Sequence, residues 1–225
     1  MNCRRFCGLL MLVCCLFPAV LRAQRQYYAG ALGGIATLSS AGRAAVTASS
    51  AAALLYSTRN GAALNVFAGL HLSNYVSLQG NYIWNRNDLI LTSTAAPGPG
   101  PNFYQQPRSS RQNAFIADLL VYVRDRRSRV RPYLSGGLGA VRLSSSVQGP
   151  ANSQGVLKVP PPEFASTFPG FRVAVGMDVR LTPGWFFRYS FSETLSDNPI
   201  SAEMRPRPNG VLKNFQNLFG IVRTF

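Results

Sequence analysis

The last twelve residues of the chain, NFQNLFGIVRTF, alternate between apolar and polar side chains up to the carboxyl end. Counting backwards by twos from the end gives Phe225, Arg223, Ile221, Phe219, Asn217 and Phe215. Four of these six are large and apolar, whereas most of their neighbours are small or polar. Because successive side chains of a β-strand point to opposite faces, this period of two predicts a strand with two different faces.

The first 23 residues have the pattern of a secretory signal peptide. Arg4 and Arg5 give a positive start, residues 8–16 (GLLMLVCCL) form an apolar stretch, and Ala23 is a small residue at the expected cleavage point. The apolar stretch is too short for a membrane-spanning helix, which needs about 20 apolar residues. We therefore predict that residues 1–23 are removed on export and that the mature chain begins near Gln24.

All four cysteines lie inside this predicted signal. They are Cys3, Cys7, Cys14 and Cys15. We therefore expect a mature chain without a disulfide, a thiol nucleophile or a cysteine metal site. Export by the twin-arginine route and lipid anchoring at Cys14 are less favoured alternatives, because the residues around both motifs fit them poorly.

The chain is strongly basic, with a formal net charge of +15 that falls to +12 when Arg4, Arg5 and Arg22 leave with the signal. Only Lys158 and Lys213 are lysines, so almost all of the positive charge is arginine. A basic chain can bind nucleic acid, but the export signal argues against that partner. We expect the anionic head groups of outer-membrane lipids to neutralise this positive charge.

After residue 23 no stretch is long and apolar enough for a membrane helix, and the mean hydropathy is close to zero. In an exported membrane protein this combination indicates a closed β-barrel, because every backbone N–H and C=O group must be paired within the bilayer. A soluble secreted barrel is the alternative, since the same hydropathy would suit a soluble all-β domain.

Eight strand-like segments follow the signal, separated by connections that alternate between long and short. The segments are 25–38, 62–73, 75–91, 113–124, 133–144, 170–181, 185–194 and 214–225. This rhythm is typical of an up-and-down barrel with turns on one side and loops on the other. We predict an all-β fold, a single eight-stranded antiparallel transmembrane barrel over residues 24–225, located in the outer membrane.

The later segments separate most clearly into two faces. The sets predicted to face outwards are Phe171, Val173, Val175, Met177, Val179 and Leu181, then Trp185, Phe187, Tyr189 and Phe191, and then Phe115, Ala117, Leu119, Val121 and Val123. An aromatic girdle is predicted from Tyr75, Tyr82, Trp84, Tyr133, Trp185 and Phe225. The first segment is rich in Gly and Ala, and its faces are not assigned.

Three stretches carry a resemblance to a known family: RPYLSGGLGAVR (131–142), PGFRVAVGMDVRLTPGWFFRYSFS (169–192) and LHLSNYVSLQGNY (70–82). They are similar to the small outer-membrane β-barrel domain family, the OmpA-type and opacity-type porin-like barrels. The resemblance covers nearly the whole mature chain and specifies architecture better than function. OmpA-type proteins often add a peptidoglycan-binding domain after the barrel, and we expect none here because the chain ends at its last strand.

The carboxyl end also resembles the insertion signal that the barrel-assembly machinery recognises, polar-x-Gly-x-x-aromatic-x-aromatic. Gly220 and Phe225 match this signal, whereas Leu218 and Arg223 depart from it. The resemblance implies that the assembly machinery is a partner during insertion. The alternative is that Phe225 simply packs at the edge of a sheet.

One possible catalytic pair is His71 with Ser73, whose spacing resembles the His-x-Ser of barrel enzymes that deacylate lipid A. A serine nucleophile needs a base within hydrogen-bond reach and a carboxylate to orient that base. The first acid that follows is Asp88, at the far end of the next predicted strand. The favoured interpretation is therefore a histidine at the barrel rim, and a lipid A-modifying enzyme is the alternative.

Six charged residues fall on predicted lumen-facing positions: Asp118, Arg142, Arg172, Asp178, Arg180 and Arg188. An unpaired charge in a narrow barrel is costly, so we expect them to form ion pairs. A static polar plug is favoured over the gate of a narrow ion or solute pore. The arginine-rich turn at 124–131 fits equally a site for phospholipid head groups and a solvated turn.

The predicted function is a small non-enzymatic outer-membrane protein with a structural role or a role in interactions through its loops. The segments PGPGP (97–101) and VPPP (159–162) in these loops hold no catalytic cluster, and loops on a rigid barrel often carry recognition. We expect no cofactor, no nucleic acid and a monomeric barrel. The sequence names no loop partner.

Overall fold

In the computed structural model, residues 26–40, 53–58, 60–94, 103–150, 152–154, 163–197 and 211–225 are described, and they form strands and turns. The strands are β1 (Tyr27–Ser40), β2 (Ala53–Thr58), β3 (Asn60–His71), β4 (Val76–Thr94), β5 (Phe103–Tyr122), β6 (Val130–Val147), β7 (Asn152–Gln154), β8 (Glu163–Thr182), β9 (Trp185–Asp197) and β10 (Val211–Thr224). The predicted signal peptide, 1–23, lies outside the described residues, as do the segments 97–101 and 159–162.

Eight long strands close into one antiparallel barrel. β1 pairs with β10 on one side and with β3 on the other, so that the first and last strands join directly. The pairing continues through β4, β5, β6, β8 and β9 back to β10. The short strands β2 and β7 extend the sheet by pairing with the outer parts of β4 and β5. The predicted eight-stranded antiparallel barrel is confirmed.

The two ends of the barrel differ. Short turns at 72–75, 123–129 and 183–184 lie at one end, together with the start of β1 and the end of β10. We call this the turn end, and the opposite end the loop end. In outer-membrane barrels the short turns face the periplasm and the longer connections face outwards. The loop end is therefore the outward end.

Several strands are longer towards the loop end than the sequence predicts. β5 begins at Phe103 rather than at residue 113, and β8 begins at Glu163 rather than at residue 170. The added part of β5 contains QQPRSSRQN, where polar residues occupy both faces. Such a segment has no apolar alternation to mark it as a strand, although its backbone continues the ladders with β4 and β6.

Apolar side chains cover the outer surface, whereas the interior holds most of the buried polar and charged side chains together with apolar clusters. On β9 the residues with odd numbers face outwards, whereas Arg188, Ser190 and Ser192 are buried inside. β5 and β8 follow the same scheme, with Phe115 64% exposed and Asp118 fully buried. This arrangement is the inverse of a soluble barrel and fits a barrel surrounded by lipid.

Two residues contradict the predicted faces, and both lie on β6. Arg142 was expected in the lumen, but it is exposed on the outer surface, between the buried residues Val141 and Leu143. Tyr133 was expected in the outer aromatic girdle, but it is buried inside. The reason is that β6 carries apolar side chains on both faces, since Leu134 and Leu138 are exposed outside, so its apolar residues alone do not mark the lipid face.

In the first strand, whose faces the sequence left open, Tyr28, Leu32 and Ala36 point inwards and Ile35 points outwards. The inward residues pack with Phe67, Leu218 and neighbouring side chains in one buried cluster. Among the described residues, no helix has the length and apolarity that crossing a membrane would require.

Candidate functional site

The centre of the polar interior is an ion pair between neighbouring strands. Asp178 on β8 lies directly opposite Arg188 on β9, and both side chains are buried. The Nε atom of Arg188 donates to Oδ1 of Asp178 at 2.6 Å, and its Nη2 atom donates to Oδ2 at 2.8 Å. Two parallel hydrogen bonds of this kind fix the guanidinium plane and are stronger than neutral hydrogen bonds.

The remaining donors of Arg188 reach across the lumen. Its Nη1 atom donates to Oε1 of Gln79 at 2.7 Å, and its Nη2 atom donates to the hydroxyl of Tyr122 at 3.0 Å. The Tyr122 hydroxyl donates in turn to Asp178 at 3.2 Å, and the hydroxyl of Tyr28 donates to Gln79 at 3.1 Å. Every polar group of the pair therefore has a partner, as burial of a charge requires.

Aromatic rings enclose the same guanidinium. The Cζ atom of Arg188 lies 4.9 Å from the ring centre of Phe67, 5.1 Å from that of Tyr133 and 5.7 Å from that of Tyr28. These distances are within the range of cation–π attraction. We call the side chains around Arg188 the central network, and they come from β1, β3, β4, β5, β6, β8 and β9. The network therefore joins seven of the eight barrel strands across the lumen.

A second buried ion pair lies closer to the loop end. Arg172 on β8 donates to the carboxylate of Asp118 on β5, although these two strands are separated by β6. Gly137 on β6 stands opposite both residues in the register. A Cβ atom at Gly137 would collide with Asp118 and with the backbone of Ala117. The missing side chain therefore lets the ion pair form across the strand.

A layer of amides fills the interior beyond this second pair. Asn214 on β10 donates to Oδ1 of Asn85 at 3.0 Å and also to the side chain of Gln112. Asn85 donates to Asn87 at 2.8 Å, and Asn87 donates to the backbone of Ala36 at 2.8 Å. Apolar groups separate the polar layers, among them Ile83, Ile116 and Val141 in one cluster and Leu38, Leu143 and Leu212 in another.

The structure brings together four of the six predicted lumen charges, as the pairs Asp118–Arg172 and Asp178–Arg188. Arg180 lies at the turn end, where it donates to the backbone oxygen of Arg126. Arg142 is on the outer surface, so its predicted place in the lumen was wrong. Gln79 and Tyr122 were not predicted, because an isolated Gln or Tyr in a strand carries no signal of what lies across the barrel.

The catalytic pair of the alternative interpretation, His71 with Ser73, does not form. The Nδ1 atom of His71 makes a 2.6 Å hydrogen bond with the hydroxyl of Ser77, and the ring stacks on Tyr28 with 4.7 Å between ring centres. The hydroxyl of Ser73 instead accepts hydrogen bonds from the backbone N–H groups of Tyr75 and Val76, at 3.2 and 3.0 Å. Ser73 therefore stabilises a turn, and His71 is a buried lumen residue.

At the turn end, a cavity of about 740 Å³ is lined by arginines of the 123–129 turn and of the adjoining strands. Arg126 donates to the backbone oxygen of Ser73 at 2.8 and 3.2 Å. Arg131 donates to the backbone oxygen of Asn74 at 3.2 Å and stacks over Tyr122. Burial and the nearby charge of Arg131 hold the pKa of the Arg126 guanidinium below its usual range. These arginines therefore join the turns to one another through neutral acceptors.

The two residues of the expected insertion signal lie in β10 and at its end. A Cβ atom at Gly220 would collide with the backbone of Ala31 and Leu32, so this glycine permits the close approach of β1. Phe225 is 72% exposed, and its backbone N–H donates to Tyr27 at 2.9 Å. The ring of Phe225 therefore contributes little to the packed interior.

Comparison with known proteins identifies the barrel. The fold resembles that of Neisserial surface protein A, with a TM-score of 0.54 and 16% sequence identity over 88% of this chain and 97% of that one. It is also similar to the outer-membrane protein OprG of Pseudomonas aeruginosa (TM-score 0.48, 14% identity, 89% and 95% covered) and to Ail of Yersinia pestis (TM-score 0.46, 11% identity, 89% and 97% covered).

The sequence has no match among curated proteins. Residues 7–215 match the profile of a family described as the outer membrane protein β-barrel domain. This match covers most of the chain and agrees with the closed eight-stranded barrel, its apolar outer face and its polar interior. The chain belongs to the outer membrane protein β-barrel domain family and is an outer-membrane barrel.

Proposed function

We propose that this protein is a small, non-enzymatic outer-membrane barrel with a closed lumen, which acts through its outward-facing surfaces rather than by conducting solutes. The observation that carries the proposal is the central network. Arg188 and Asp178 are buried, fully hydrogen-bonded and enclosed by side chains from both sides of the barrel. A lumen of eight strands is only wide enough for side chains, and the extent of this network supports a lumen that does not conduct ions.

Static packing is favoured over gating because Arg188 has no second carboxylate in the central network, although Asp178 also stands opposite Arg131 on β6. A gate requires a charge to exchange one partner for another at small cost. Opposite Arg188 the only carboxylate described in the network is Asp178, and the other acceptors are neutral. Separation of the pair would leave the buried guanidinium of Arg188 without a counter-charge in the central network, and breaking a buried pair in this way costs about 3–5 kcal/mol. This supports a role for the network as a plug.

The experiment is conductance in planar lipid bilayers. We expect the wild-type protein to insert without unitary current steps, and heat-modifiable gel mobility of the same vesicles shows that it has inserted. The double variant Asp178→Ala/Arg188→Ala leaves the Asp118–Arg172 pair and the amide layer in place, so it should also give no steps. A known porin added to the same membrane shows that detection works. Stable steps from the wild-type protein that change in the Arg188→Ala variant would overturn the closed-lumen proposal and establish the narrow pore.

The alternative of a lipid A-modifying enzyme loses its main support when His71 bonds Ser77 instead of Ser73. Both members of the observed pair are buried, and no carboxylate is described in contact with the ring of His71. Overexpression followed by mass spectrometry of extracted lipid A tests the alternative directly. We expect an unchanged acyl pattern, and altered acylation that disappears in His71→Ala would require an enzyme.

A further inference from the structure

Three arginines form an exposed cluster on the outer surface of β4, β5 and β6. Arg86, Arg111 and Arg142 point outwards, and we call them the arginine patch. They alternate with buried residues on each strand, so their orientation follows from the pleat of the sheet. Arg142 is the residue that the sequence analysis had assigned to the lumen. Its outward position raises the question of what neutralises it.

The strand register places the three side chains side by side. Arg86 on β4 stands directly opposite Arg111 on β5. Arg142 on β6 stands opposite Asn113, which is two residues from Arg111 on the same face. Neighbouring strands are about 4.8 Å apart, and like charges directly opposite one another destabilise a sheet. The patch therefore favours the binding of an anion.

The described residues do not supply that anion. Among the residues that the structure describes, the three ion pairs involve Arg172, Arg188 and Lys213, and none involves an arginine of the patch. The closest polar partner of Arg86 is the hydroxyl of Ser109, 3.3 Å from Nε. Asp88 lies farther along β4, where it accepts a hydrogen bond from Gln148.

A surface cavity of about 670 Å³ lies beside two of the three arginines, Arg86 and Arg111. Its lining includes Arg86, Arg111, Ser109, Ser144 and Gln148, together with one carboxylate, Glu163. Ser144 stands opposite Arg111, whereas Glu163 stands opposite Ser146, one outward-facing position farther towards the loop end. The space next to the patch is therefore lined mainly by cations and hydroxyl groups, which are the partners of an oxyanion.

The level of the patch on the barrel indicates which anion it meets. Tyr82 and Phe115 lie two outward-facing positions nearer the turn end than Arg86 and Arg111, with 4.9 Å between their ring centres. From this level towards the turn end the outward side chains of β5 are apolar, including Leu119 and Val121. An aromatic boundary above an apolar band marks the membrane interface. Since the loop end faces outwards, the patch lies at the head-group level of the outer leaflet.

We propose that Arg86, Arg111 and Arg142 form a binding site for the phosphate groups of an anionic lipid in the outer leaflet. The planar guanidinium group matches phosphate through two parallel hydrogen bonds, which a lysine would not provide. The hydroxyl of Ser109, which lines the same cavity and accepts a hydrogen bond from Arg86, can still donate its own proton to a phosphate oxygen. The site goes beyond the proposed function because it acts whether or not the lumen is closed.

The test uses lipid A with two phosphate groups, with one and with none as matched probes. The protein is refolded in an uncharged maltoside detergent, and each probe is added in a titration followed by calorimetry. We expect affinity to fall as phosphates are removed. Loss of charge-assisted hydrogen bonds in the triple variant Arg86→Gln/Arg111→Gln/Arg142→Gln should weaken binding of bisphosphorylated lipid A by about tenfold or more.

The control is Arg124→Gln/Arg127→Gln/Arg129→Gln, which loses the same charge from exposed positions in the turn at the other end. It should bind lipid A as the wild-type protein does. Heat-modifiable gel mobility shows that each variant is folded. Equal loss of affinity in both triple variants would indicate only a general charge effect and would overturn the proposal. The proposal would also be overturned if dephosphorylated lipid A bound with the same affinity as bisphosphorylated lipid A.

A second readout locates the bound lipid. The chain has two tryptophans, and Trp84 stands opposite Asn113 beside the patch, whereas Trp185 is at the turn end. In a Trp185→Phe background, lipid A should shift the emission of Trp84, and the arginine-patch triple variant should abolish this shift. Inorganic phosphate added alone should give a much weaker response. Binding of lipid A without any change at Trp84 would place the lipid elsewhere and refute the site.

Discussion

The guanidinium group of Arg188 and the carboxylate of Asp178 face each other across two neighbouring strands and share two hydrogen bonds of 2.6 and 2.8 Å. The pair also anchors Gln79 and Tyr122, so it organises the interior as well as neutralising its own charges. Replacement of a whole buried ion pair is often tolerated, whereas removal of one partner leaves an uncompensated charge. The single and double variants should therefore behave differently.

We predict that Asp178→Asn and Arg188→Gln each lower the free energy of unfolding by about 3–5 kcal/mol. The double variant Asp178→Leu/Arg188→Met should lose less than the two single effects combined, because it removes both charges. Unfolding by urea in lipid vesicles, followed by tryptophan fluorescence and gel mobility, measures each value.

The exposed pair of Lys213 with Glu193, 4.0 Å apart, is the matched control. Because solvent screens it, Lys213→Gln should change the free energy of unfolding by about 1 kcal/mol or less. If Asp178→Asn were no more destabilising than Lys213→Gln, the central network would not be the main source of order in the lumen.

Two adjacent glycines on β6 give a second prediction. A Cβ atom at Gly137 would collide with Asp118, whereas one at Gly136 meets no atom within 4 Å. Gly137→Ala should therefore lower the free energy of unfolding by about 1–3 kcal/mol through overpacking. Gly136→Ala should instead raise it by roughly 0.5–1 kcal/mol, because a strand glycine is entropically costly. Equal effects in the same urea assay would contradict the role assigned to Gly137.

A third prediction concerns Ser73, which the structure assigns to a turn. Ser73→Ala removes the acceptor for the N–H groups of Tyr75 and Val76 and should lower the free energy of unfolding by about 0.5–1.5 kcal/mol. Ser73→Thr keeps the hydroxyl and should restore most of the loss. A wild-type stability in Ser73→Ala would show that these hydrogen bonds are replaced by water at no cost.

Much of the barrel follows from apolar alternation alone. The outward sets on β5, β8 and β9 were predicted correctly, because lipid requires apolar side chains at every second position there. The strand ends at the loop end of the barrel were not predicted, because the sheet continues there beyond the apolar band. Around Arg108 both faces of β5 are polar, so hydrogen bonding continues without any pattern in the sequence.

The interior was only partly predictable for a different reason. The lumen of a barrel can hold apolar as well as polar side chains if they pack well. On β6 the apolar side chains of Val141 and Leu143 point into the lumen and are buried. The neighbouring Arg142 then faces outwards, against the expectation that charges belong in the lumen. The ion pair between Asp118 and Arg172 also depends on Gly137, which lies between them on β6. Because these three residues are on three different strands, the sequence of one strand alone does not predict the pair.

A fourth prediction concerns the expected insertion signal, for which we propose recognition of Phe225 by the assembly machinery. The ring is exposed and makes few contacts, so Phe225→Ala should barely alter stability in the urea assay. It should nevertheless lower the fraction of newly made protein that becomes heat-modifiable in the outer membrane. Phe219→Ala, on the lipid face of the same strand, is the control for lost aromatic area. An equal assembly defect in both variants would argue against a special role for the last residue.

The turn at 123–129 gives a prediction for the dependence of stability on pH. Oδ1 of Asp125 accepts hydrogen bonds from the Ser128 hydroxyl at 2.9 Å and from the N–H groups of Ser128 and Arg127, both at 3.1 Å. The hydrogen bond from the Ser128 side chain is the main cause that holds the pKa of Asp125 below its ordinary value of 3.8. Folding therefore favours the carboxylate form.

A group whose pKa is lowered on folding stabilises the protein above its unfolded pKa, and this stabilisation is lost as the pH falls through the folded pKa. The difference in free energy of unfolding between the wild-type protein and Asp125→Asn should thus be constant near neutral pH and should shrink below about pH 4. Other titrating groups cancel in this difference, since both proteins share them. Ser128→Ala removes the strongest donor and should flatten the profile in the wild-type background. A difference that stayed constant down to pH 2, or grew as the pH fell, would mean that the turn does not hold the carboxylate as the three hydrogen bonds indicate.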